Sequence, residues 1–207
     1  MNNVLVLGGS GLLGSELISG QYLKKYKIIS LSRSSKTDYN VDLENFNELV
    51  KILEKVKPKV IINLAGITNV DRCEKFPNEA YRLNAQTVEN LIGAIKILSE
   101  KSFLIHISTD QVYDGKGFFS EKNINLSNYY AFSKYIGELK ASQISSTILR
   151  TNFFGKSKNL KRSSLTDWLY TELKQKNHIS VFEDVWFNPI SIHLLCKMIE
   201  LAVEKKN

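Results

Sequence analysis

Short apolar runs alternate along the chain with longer segments in which apolar and polar residues mix. The runs are rich in Val, Ile and Leu, a composition that is typical of strands buried on both faces. They predict strands at Val4–Leu7, Lys27–Leu31, Lys59–Leu64, Phe103–Ile107 and Thr147–Leu149, with a candidate sixth at Ile179–Phe182. The intervening segments predict helices at Leu12–Leu23, Phe46–Val56, Asn78–Glu100, Tyr129–Ser142, Leu165–Lys176 and Ile192–Glu204.

This alternation of strand and helix predicts an α/β fold. Right-handed crossovers between parallel strands place helices on both faces of one sheet, which gives a Rossmann-like doubly wound arrangement. The alternation becomes irregular after about Arg150. We therefore expect residues 1–150 to form the doubly wound domain and residues 151–207 to form a smaller region packed on it.

The bulk composition is that of an ordinary globular protein. Of the 207 residues, 43% are hydrophobic and 24% are charged. Apolar runs such as Val60–Ile62 are far too short to span a bilayer. The first apolar run lacks the basic flank and small-residue cleavage site of a signal peptide. We expect a cytoplasmic protein without a membrane partner.

Cysteines and histidines show no metal-binding pattern. Cys73 and Cys196 have neither metal-ligand spacing nor a disulfide framework. Cys73 falls in a predicted loop, where an ordinary unpaired thiol is favoured over a reactive one. His106, His178 and His193 are scattered, and His106 is expected to be a core residue with satisfied hydrogen bonds. We expect no metal site.

The chain is basic, with a formal charge of +7 and a sequence pI of about 9.2. Four cations, Lys156, Lys158, Lys161 and Arg162, cluster in one segment. Such a cluster can bind nucleic acid, form a solvated loop, or meet an anionic small substrate such as a sugar nucleotide. No aromatic interleaving or known binding module accompanies it, so we expect no nucleic-acid partner.

A glycine-rich turn follows the first predicted strand and precedes an apolar helix. Glycines at 8, 9, 11 and 14 satisfy both G-x-G-x-x-G and G-x-x-G-x-x-G. In this context the motif predicts a dinucleotide site, because glycines allow pyrophosphate to approach the backbone and the helix N-terminus favours an anion. The expected cofactor contacts here are Gly8, Gly11, Leu12, Leu13 and Gly14.

The end of the second predicted strand indicates which dinucleotide binds. NAD-specific folds usually place a carboxylate there, but the chain has Ser32 and Arg33 and no acid before Asp38. Arg33 suits a 2′-phosphate, so NADP(H) is favoured and NAD(H) remains possible; a solvated Arg33 is the simpler alternative. Further expected cofactor contacts are Asp42, Leu43, Ala65 and Gly66.

Tyr130 and Lys134 are four residues apart on a predicted helix and therefore share a face. An ammonium beside a phenol favours the phenolate, so we expect Lys134 to lower the pKa of Tyr130 and make proton transfer possible near neutral pH. Ser108 and Thr109 end the fourth predicted strand, where ligands bind in open α/β sheets. Alone, these hydroxyls fit an ordinary turn equally well.

Several ordered blocks carry a family resemblance that spans most of the chain. They are Gly8–Gly14, Asn63–Asp71, Ala80–Asn84, Ser108–Gly115, Tyr130–Lys134, Leu149–Thr151 and Asn188–Pro189. In this order they resemble the extended short-chain dehydrogenase/reductases, and within them the sugar-nucleotide reductases of the dTDP-4-dehydrorhamnose reductase family. The resemblance implies an NADPH-dependent oxidoreductase that reduces a 4-keto sugar nucleotide, in dTDP-rhamnose and polysaccharide biosynthesis.

The resemblance also implies roles for individual residues. Thr109 matches the catalytic hydroxyl, Tyr130 the proton donor, and Lys134 the residue that tunes Tyr130 and holds the nicotinamide ribose. Asp71 and Asn152 are assigned to the substrate. A further residue, Asn84, aligns with an asparagine near the active site, although an ordinary polar helix residue explains it equally well.

Two departures from the family bear on the substrate. The segment between Thr109 and Tyr130 is short, and the family generally continues well beyond the Asn188–Pro189 block. We therefore expect residues 151–207 to be a reduced, partial substrate-binding region. Two alternatives stay open: an NAD-dependent epimerase or dehydratase, which Asp110 supports, and a non-catalytic cofactor-binding subunit. The expected partner is a nucleotide-sugar, and a homodimer is allowed.

Overall fold

Parallel strands form one central sheet in the computed structural model, which describes residues 2–33, 37–99, 101–158, 163–181, 183, 185 and 188–206. The strands within these residues are β1 Asn3–Leu7, β2 Lys27–Ser32, β3 Tyr39–Asn40, β4 Val60–Asn63, β5 Phe103–Thr109 and β6 Ser146–Thr151. Their order is β3-β2-β1-β4-β5-β6. Two short strands, β7 Phe153–Phe154 and β8 Ile190–Ser191, pair separately.

Helices connect the strands and cover both faces of the sheet. They are α1 Leu12–Ser19, α2 Phe46–Val56, α3 Val70–Lys75, α4 Pro77–Tyr81, α5 Thr87–Ile97, α6 Tyr129–Ala141, α7 Leu165–Lys174 and α8 Ile192–Lys205. A π-helical turn, Arg82–Gln86, joins α4 to α5, and a 3₁₀ turn, Asp110–Val112, follows β5. No helix among the described residues has the length and apolarity needed to cross a membrane.

The strands divide their apolar side chains between two cores, because alternate residues point to opposite faces. Leu5 and Leu7 pack with α2 and α5 on one face. Val4 and Val6 pack with α1 and α8 on the other. The doubly wound fold predicted from the sequence is therefore confirmed.

The register of the sheet brings several strand ends to one edge. Leu7 of β1 lies opposite Leu31 of β2 and Asn63 of β4, and Asn63 lies opposite His106 of β5. The turns that follow these strands therefore emerge side by side at the carboxyl edge of the sheet, where open α/β folds bind ligands.

Most predicted elements are confirmed, with shifted ends. The first helix stops at Ser19 instead of Leu23, and the long helix predicted over 78–100 is divided by the π-helical turn. Residues 179–181 of the candidate sixth strand are not a strand, and Phe182 lies outside the described residues. The domain boundary near Arg150 remains a prediction.

Candidate active site

A cleft of about 310 Å³ lies at the carboxyl edge of the sheet, beside the ends of β1, β2 and β4. Eight predicted cofactor residues line it: Gly8, Gly11, Ser32, Arg33, Asp42, Leu43, Ala65 and Gly66. Lining residues that the sequence did not reveal include Ser10, Ile67, Arg72, Glu79, Leu83 and Thr87. The cleft combines glycine backbone, apolar walls and two arginines, which suits an anionic dinucleotide.

The glycine turn after β1 has backbone conformations and close contacts that require glycine at some positions. Gly8 has φ +80°, a conformation that favours glycine. A Cβ atom at Gly14 would lie only 2.4 Å from the carbonyl oxygen of Gly8, so Gly14 allows α1 to pack on the turn. Gly11 is more open, since among the described residues its Cβ would meet only Gly8 O, at 3.2 Å. We call this turn, with close backbone packing at Gly8 and Gly14 and open space beside Gly11, the glycine cradle.

Leu12 and Leu13 contribute to the site differently from the expectation. Their side chains pack against the core under α1 and do not line the cleft. Both residues belong to the first turn of α1, where backbone N–H groups have no partner within the helix. Any cofactor contact from them is therefore through the backbone. Gly14 likewise serves packing and is not a lining residue.

The turn after β2 presents Ser32 and Arg33 to the cleft. The nearby carboxylate, Asp38, is directed elsewhere: its Oδ2 accepts from Ser30 N at 2.8 Å and from Ser30 Oγ at 2.7 Å. These hydrogen bonds lower the pKa of Asp38 and hold its carboxylate against Ser30. It is thus poorly placed to bind the ribose hydroxyls that NAD-specific folds recognise. Residues 34–36 lie outside the described residues.

The predicted catalytic residues come together where β5 meets α6. Thr109 ends β5, and its hydroxyl lies close enough to Tyr130, in the first turn of α6, to lower the pKa of the phenol. Asn128 caps this helix by accepting from Ala131 N at 2.7 Å. The cap sets where the helix begins and therefore places Tyr130 in its first turn. Tyr130 and Lys134 are both buried, with 7% and 6% of their surface exposed. A polar trio is therefore assembled next to the cleft.

The pKa values at this trio differ from the expectation. Burial raises the pKa of Tyr130 to about 12, although the nearby Thr109 hydroxyl acts to lower this pKa. Burial also lowers the pKa of Lys134 to about 8. The Lys134 ammonium donates to the carbonyl oxygen of Ile107 at 2.6 Å. The prediction that Lys134 lowers the Tyr130 pKa is thus wrong, because burial of the phenol has the largest effect on this pKa and raises it.

Asn84 connects the cleft to the catalytic helix. Its Oδ1 accepts from Ile67 N at 2.9 Å, while its Nδ2 donates to Ile67 O and to Ser133 Oγ, each at 3.0 Å. Asn84 lies on the π-helical turn, a feature frequently found at functional sites. Next to it, a Cβ atom at Gly66 would lie 4.0 Å from Lys134 Nζ. Asn84 is therefore a structural link at the site and not an ordinary polar helix residue.

The two residues assigned to the substrate lie in different settings. Asn152 follows β6, and its side chain lies close enough to Asp110, the residue after Thr109, to act on the pKa of that carboxyl. Asp71 is exposed in the first turn of α3 and does not line the cleft. Cys73 is on the same helix, where the sequence predicted a loop; it is buried, and burial raises its pKa. A reactive Cys73 is therefore disfavoured.

His106 is buried on β5, as expected, but its hydrogen bonding is incomplete. Its Nδ1 lies 3.2 Å from Asn63 Nδ2, whereas its Nε2 and the Oγ of Ser108 have no partner among the described residues. The expectation of a fully satisfied core histidine is therefore wrong. Asn63 also accepts from Ala65 N at 3.1 Å. It therefore connects Ala65, which lines the cleft, to His106 on β5.

Arg150 anchors the loop between β5 and α6. Its guanidinium binds Glu138 on α6, with Nη2 2.6 Å from Oε2, and donates to Tyr113 Oη and to Glu121 O, both at 2.8 Å. Glu138 is almost fully buried. A buried carboxylate needs such a partner, since an unpaired charge in this position is strongly destabilising.

Only part of the basic segment is described. Lys158 Nζ lies 2.8 Å from the buried Glu16 on α1 and donates to Ser19 Oγ at 2.7 Å. It therefore ties the segment to the first helix. Lys161 and Arg162 lie outside the described residues.

A Rossmann-type sheet, a glycine cradle and a Thr–Tyr–Lys trio beside it define a protein of the extended short-chain dehydrogenase/reductase class. The family model described as the RmlD substrate binding domain matches residues 1–207. The chain therefore belongs to this family.

Known proteins similar to the chain agree with this assignment. The dTDP-4-dehydrorhamnose reductase of Escherichia coli is 30% identical over 98% of the chain. The structure of a hypothetical dTDP-4-dehydrorhamnose reductase from Sulfolobus tokodaii matches with a TM-score of 0.87 at 34% identity, covering all of this chain and 74% of the other. The Bacillus anthracis enzyme of the same name, solved with NADP, also gives 0.87, at 27% identity, and covers 100% of this chain and 72% of that one.

The chain matches only part of these relatives. It spans 69% of the Escherichia coli protein and as little as 53% of the spore coat polysaccharide biosynthesis protein SpsK of Bacillus subtilis. The activity of the full-length relatives is therefore a proposal for this chain.

Proposed function

We propose that this chain is an NADPH-dependent reductase of a 4-keto sugar nucleotide, of the dTDP-4-dehydrorhamnose reductase type. One observation carries the proposal: Thr109 and Tyr130 lie close together where β5 meets α6, and the buried Lys134 Nζ approaches Gly66, which lines the cleft. The named relatives, among them the Bacillus anthracis enzyme solved with NADP, support the choice of reaction and cofactor.

The residues present fit the dinucleotide. The glycine cradle leaves open space beside Gly11, and the first turn of α1 offers backbone N–H groups to a pyrophosphate. Arg33 and Ser32 would hold the 2′-phosphate, because the nearest carboxylate of that turn is braced against Ser30. Leu43 and Ala65 would form apolar walls of the cleft. Bound NADPH would supply a hydride for the carbonyl carbon.

The protein supplies the proton and the positioning. Tyr130, with a pKa of about 12, carries its proton at neutral pH and can donate it to the carbonyl oxygen as that oxygen gains charge. Thr109 would hold the same oxygen through its hydroxyl. Lys134, with a pKa of about 8, is mostly charged at pH 7, and its positive charge would stabilise the tyrosinate left after transfer.

A screen tests this proposal. The chain would be mixed with NADPH and a panel of nucleotide-sugars, including dTDP-4-keto-6-deoxy sugars, and thermal shifts and NADPH consumption would be followed. We expect a shift and turnover with a 4-keto sugar nucleotide. Binding of NADPH without turnover of any keto sugar would support the non-catalytic cofactor-binding alternative.

Asp110 favours a second candidate, an epimerase or dehydratase. Burial raises the pKa of this carboxyl, which lies directly after Thr109 and near the side chain of Asn152. An acid next to the catalytic hydroxyl is what a dehydratase uses to eliminate water. A product that forms with tightly bound NAD and no net consumption of NADPH would identify this reaction.

A further inference from the structure

Arg72 and Glu79 form an ion pair in the cofactor cleft that has no part in the proposed chemistry. Arg72 Nε and Nη2 donate to Glu79 Oε2 and Oε1 at 2.9 and 2.8 Å. The pair joins α3 to α4, and both side chains line the cleft. An arginine is therefore presented to the ligand space from the wall formed by α3.

Stability does not explain this pair. The side chain of Arg72 is 57% exposed and that of Glu79 is 24% exposed. Exposed ion pairs are screened by water and salt and stabilise a fold little. A bidentate pair has another consequence, because it fixes the plane of the guanidinium.

Glu79 leaves Arg72 with unused donors. A guanidinium has five N–H donors, and two of those on Arg72 are directed to Glu79. The others can bind a second anion, and their directions are already set by the first. Arg72 is thus a preorganised anion contact, which lowers the entropy cost of holding a ligand.

Arg33 reaches the same region from another element. It comes from the end of β2, whereas Arg72 belongs to α3, and both line the cleft. The hydrogen bond from Arg72 lowers the pKa of Glu79, and the charges of Arg82 and Arg33 add to this effect. Arg33 is therefore within electrostatic reach of the Arg72–Glu79 pair. An anion bound between them would meet two guanidinium groups.

We propose that Arg72 is a second specificity-determining cation for the 2′-phosphate of NADP(H), acting together with Arg33. A phosphate monoester carries up to two charges at neutral pH and has several acceptor oxygens, so it can bind two guanidinium groups at once. The inference rests on the proposed function, because it assumes that NADP(H) is the ligand of the cleft. It goes beyond that function by assigning cofactor selectivity to α3.

Two small probes isolate the 2′-phosphate. Adenosine 2′,5′-bisphosphate carries it and adenosine 5′-monophosphate lacks it, so calorimetric titration with both measures the contribution of that group. We expect Arg72→Ala to weaken the bisphosphate about 10- to 100-fold, the scale of lost charge-assisted hydrogen bonds. The monophosphate should change by no more than about twofold. Arg72→Lys should restore part of the loss, because it keeps the charge but not the bidentate plane.

Arg82→Ala is the matched control. Arg82 is an exposed arginine whose Nε lies 2.6 Å from Glu44 Oε1, and its charge also acts on Glu79, but it is not a lining residue of the cleft. It should leave the affinity for the bisphosphate nearly unchanged. Equal weakening by Arg72→Ala and Arg82→Ala would mean general electrostatic attraction and would overturn the assignment.

The same titrations separate this inference from the proposed function. If Arg33→Ala removes the preference for the bisphosphate and Arg72→Ala does not, NADP(H) selectivity stands and the role of Arg72 is refuted. Equal losses of both probes in Arg72→Ala would also refute it, since the contact would then be to a group that both share. A wild-type chain that binds the two probes equally would overturn both the inference and the choice of NADPH.

Discussion

Lys134 donates a 2.6 Å hydrogen bond to the carbonyl oxygen of Ile107, two residues before Thr109 on β5. The ammonium is thereby held against the strand that ends in Thr109, in a buried position. Burial without a carboxylate in direct contact lowers the pKa of Lys134 to about 8. The site therefore maintains a charge that the fold alone would not favour, as functional sites commonly do.

Lys134→Met tests how much the burial of a charged Lys134 destabilises the fold. A pKa lowered from 10.5 to about 8 corresponds to roughly 3 kcal/mol of destabilisation at pH 7. Loss of the bond to Ile107 offsets about 1 kcal/mol of the gain. We expect the variant to unfold at higher urea concentration than the wild type at pH 7, with a free energy of unfolding larger by about 2 kcal/mol, and to lose reductase activity.

The pH dependence follows from the sign of the shift. Between pH 8 and 10.5 the unfolded chain binds more protons at Lys134 than the folded chain, so wild-type stability rises with pH in this window. The advantage of Lys134→Met should therefore shrink as pH rises from 8 towards 10.5. If the variant is no more stable than the wild type at pH 7, or if the stability difference does not change with pH, burial of a charged Lys134 does not destabilise the fold.

Tyr130→Phe removes one hydroxyl and keeps the ring. Because Tyr130 is the proposed proton donor, kcat for reduction of the keto sugar should fall by roughly 10²–10⁴, while the Kd for NADPH changes little. Tyr129→Phe is the control, since Tyr129 is exposed and has no lysine four residues later. A fully active Tyr130→Phe, or equal losses in the two variants, would remove Tyr130 from the mechanism.

Substitutions at two glycines of the cradle should have different effects, one on dinucleotide affinity and one on thermal stability. Gly11→Val would place a branched side chain at the cleft, where, among the described residues, a Cβ would meet only Gly8 O, at 3.2 Å. Dinucleotide affinity should fall sharply, with far-UV circular dichroism close to wild type. Gly14→Ala should instead lower Tm, because its Cβ would lie 2.4 Å from Gly8 O. NADPH affinity that survives Gly11→Val would place the cofactor elsewhere.

Arg33→Ala tests cofactor choice. We expect it to weaken NADPH by about 10- to 100-fold, the scale of lost charge-assisted hydrogen bonds, and to leave NADH nearly unaffected, as measured by calorimetric titration. Tighter binding of NADH than of NADPH to the wild-type chain would refute the preference.

Sequence reasoning located the fold and much of the cleft because both depend on local patterns. Buried strands are visible as apolar runs, and the glycine turn between β1 and α1 is contiguous in sequence. Helix spacing places Tyr130 and Lys134 on one face of α6, and the end of β5 offers Ser108 or Thr109; the choice of Thr109 came from the family resemblance.

Other features depend on contacts between distant elements and were therefore not predictable. Arg72 and Glu79 are separated by a helix break, and nothing in the sequence shows that they meet in the cleft. The pKa of Tyr130 depends on burial, which a sequence motif does not report. The incomplete hydrogen bonding of His106 likewise reflects which side chains the packed sheet places around it.

Arg150 makes the loop between β5 and α6 tolerant of change at its tip. The loop is fastened at Tyr113 and Glu121, whereas Phe118 is fully exposed and a Cβ at Gly117 would meet nothing within 4 Å. Insertions between these two contacts should leave Thr109, Tyr130 and Lys134 in place, because exposed loop tips with few contacts accept added residues. Evolution could thus alter the length of this loop without rebuilding the site where β5 meets α6.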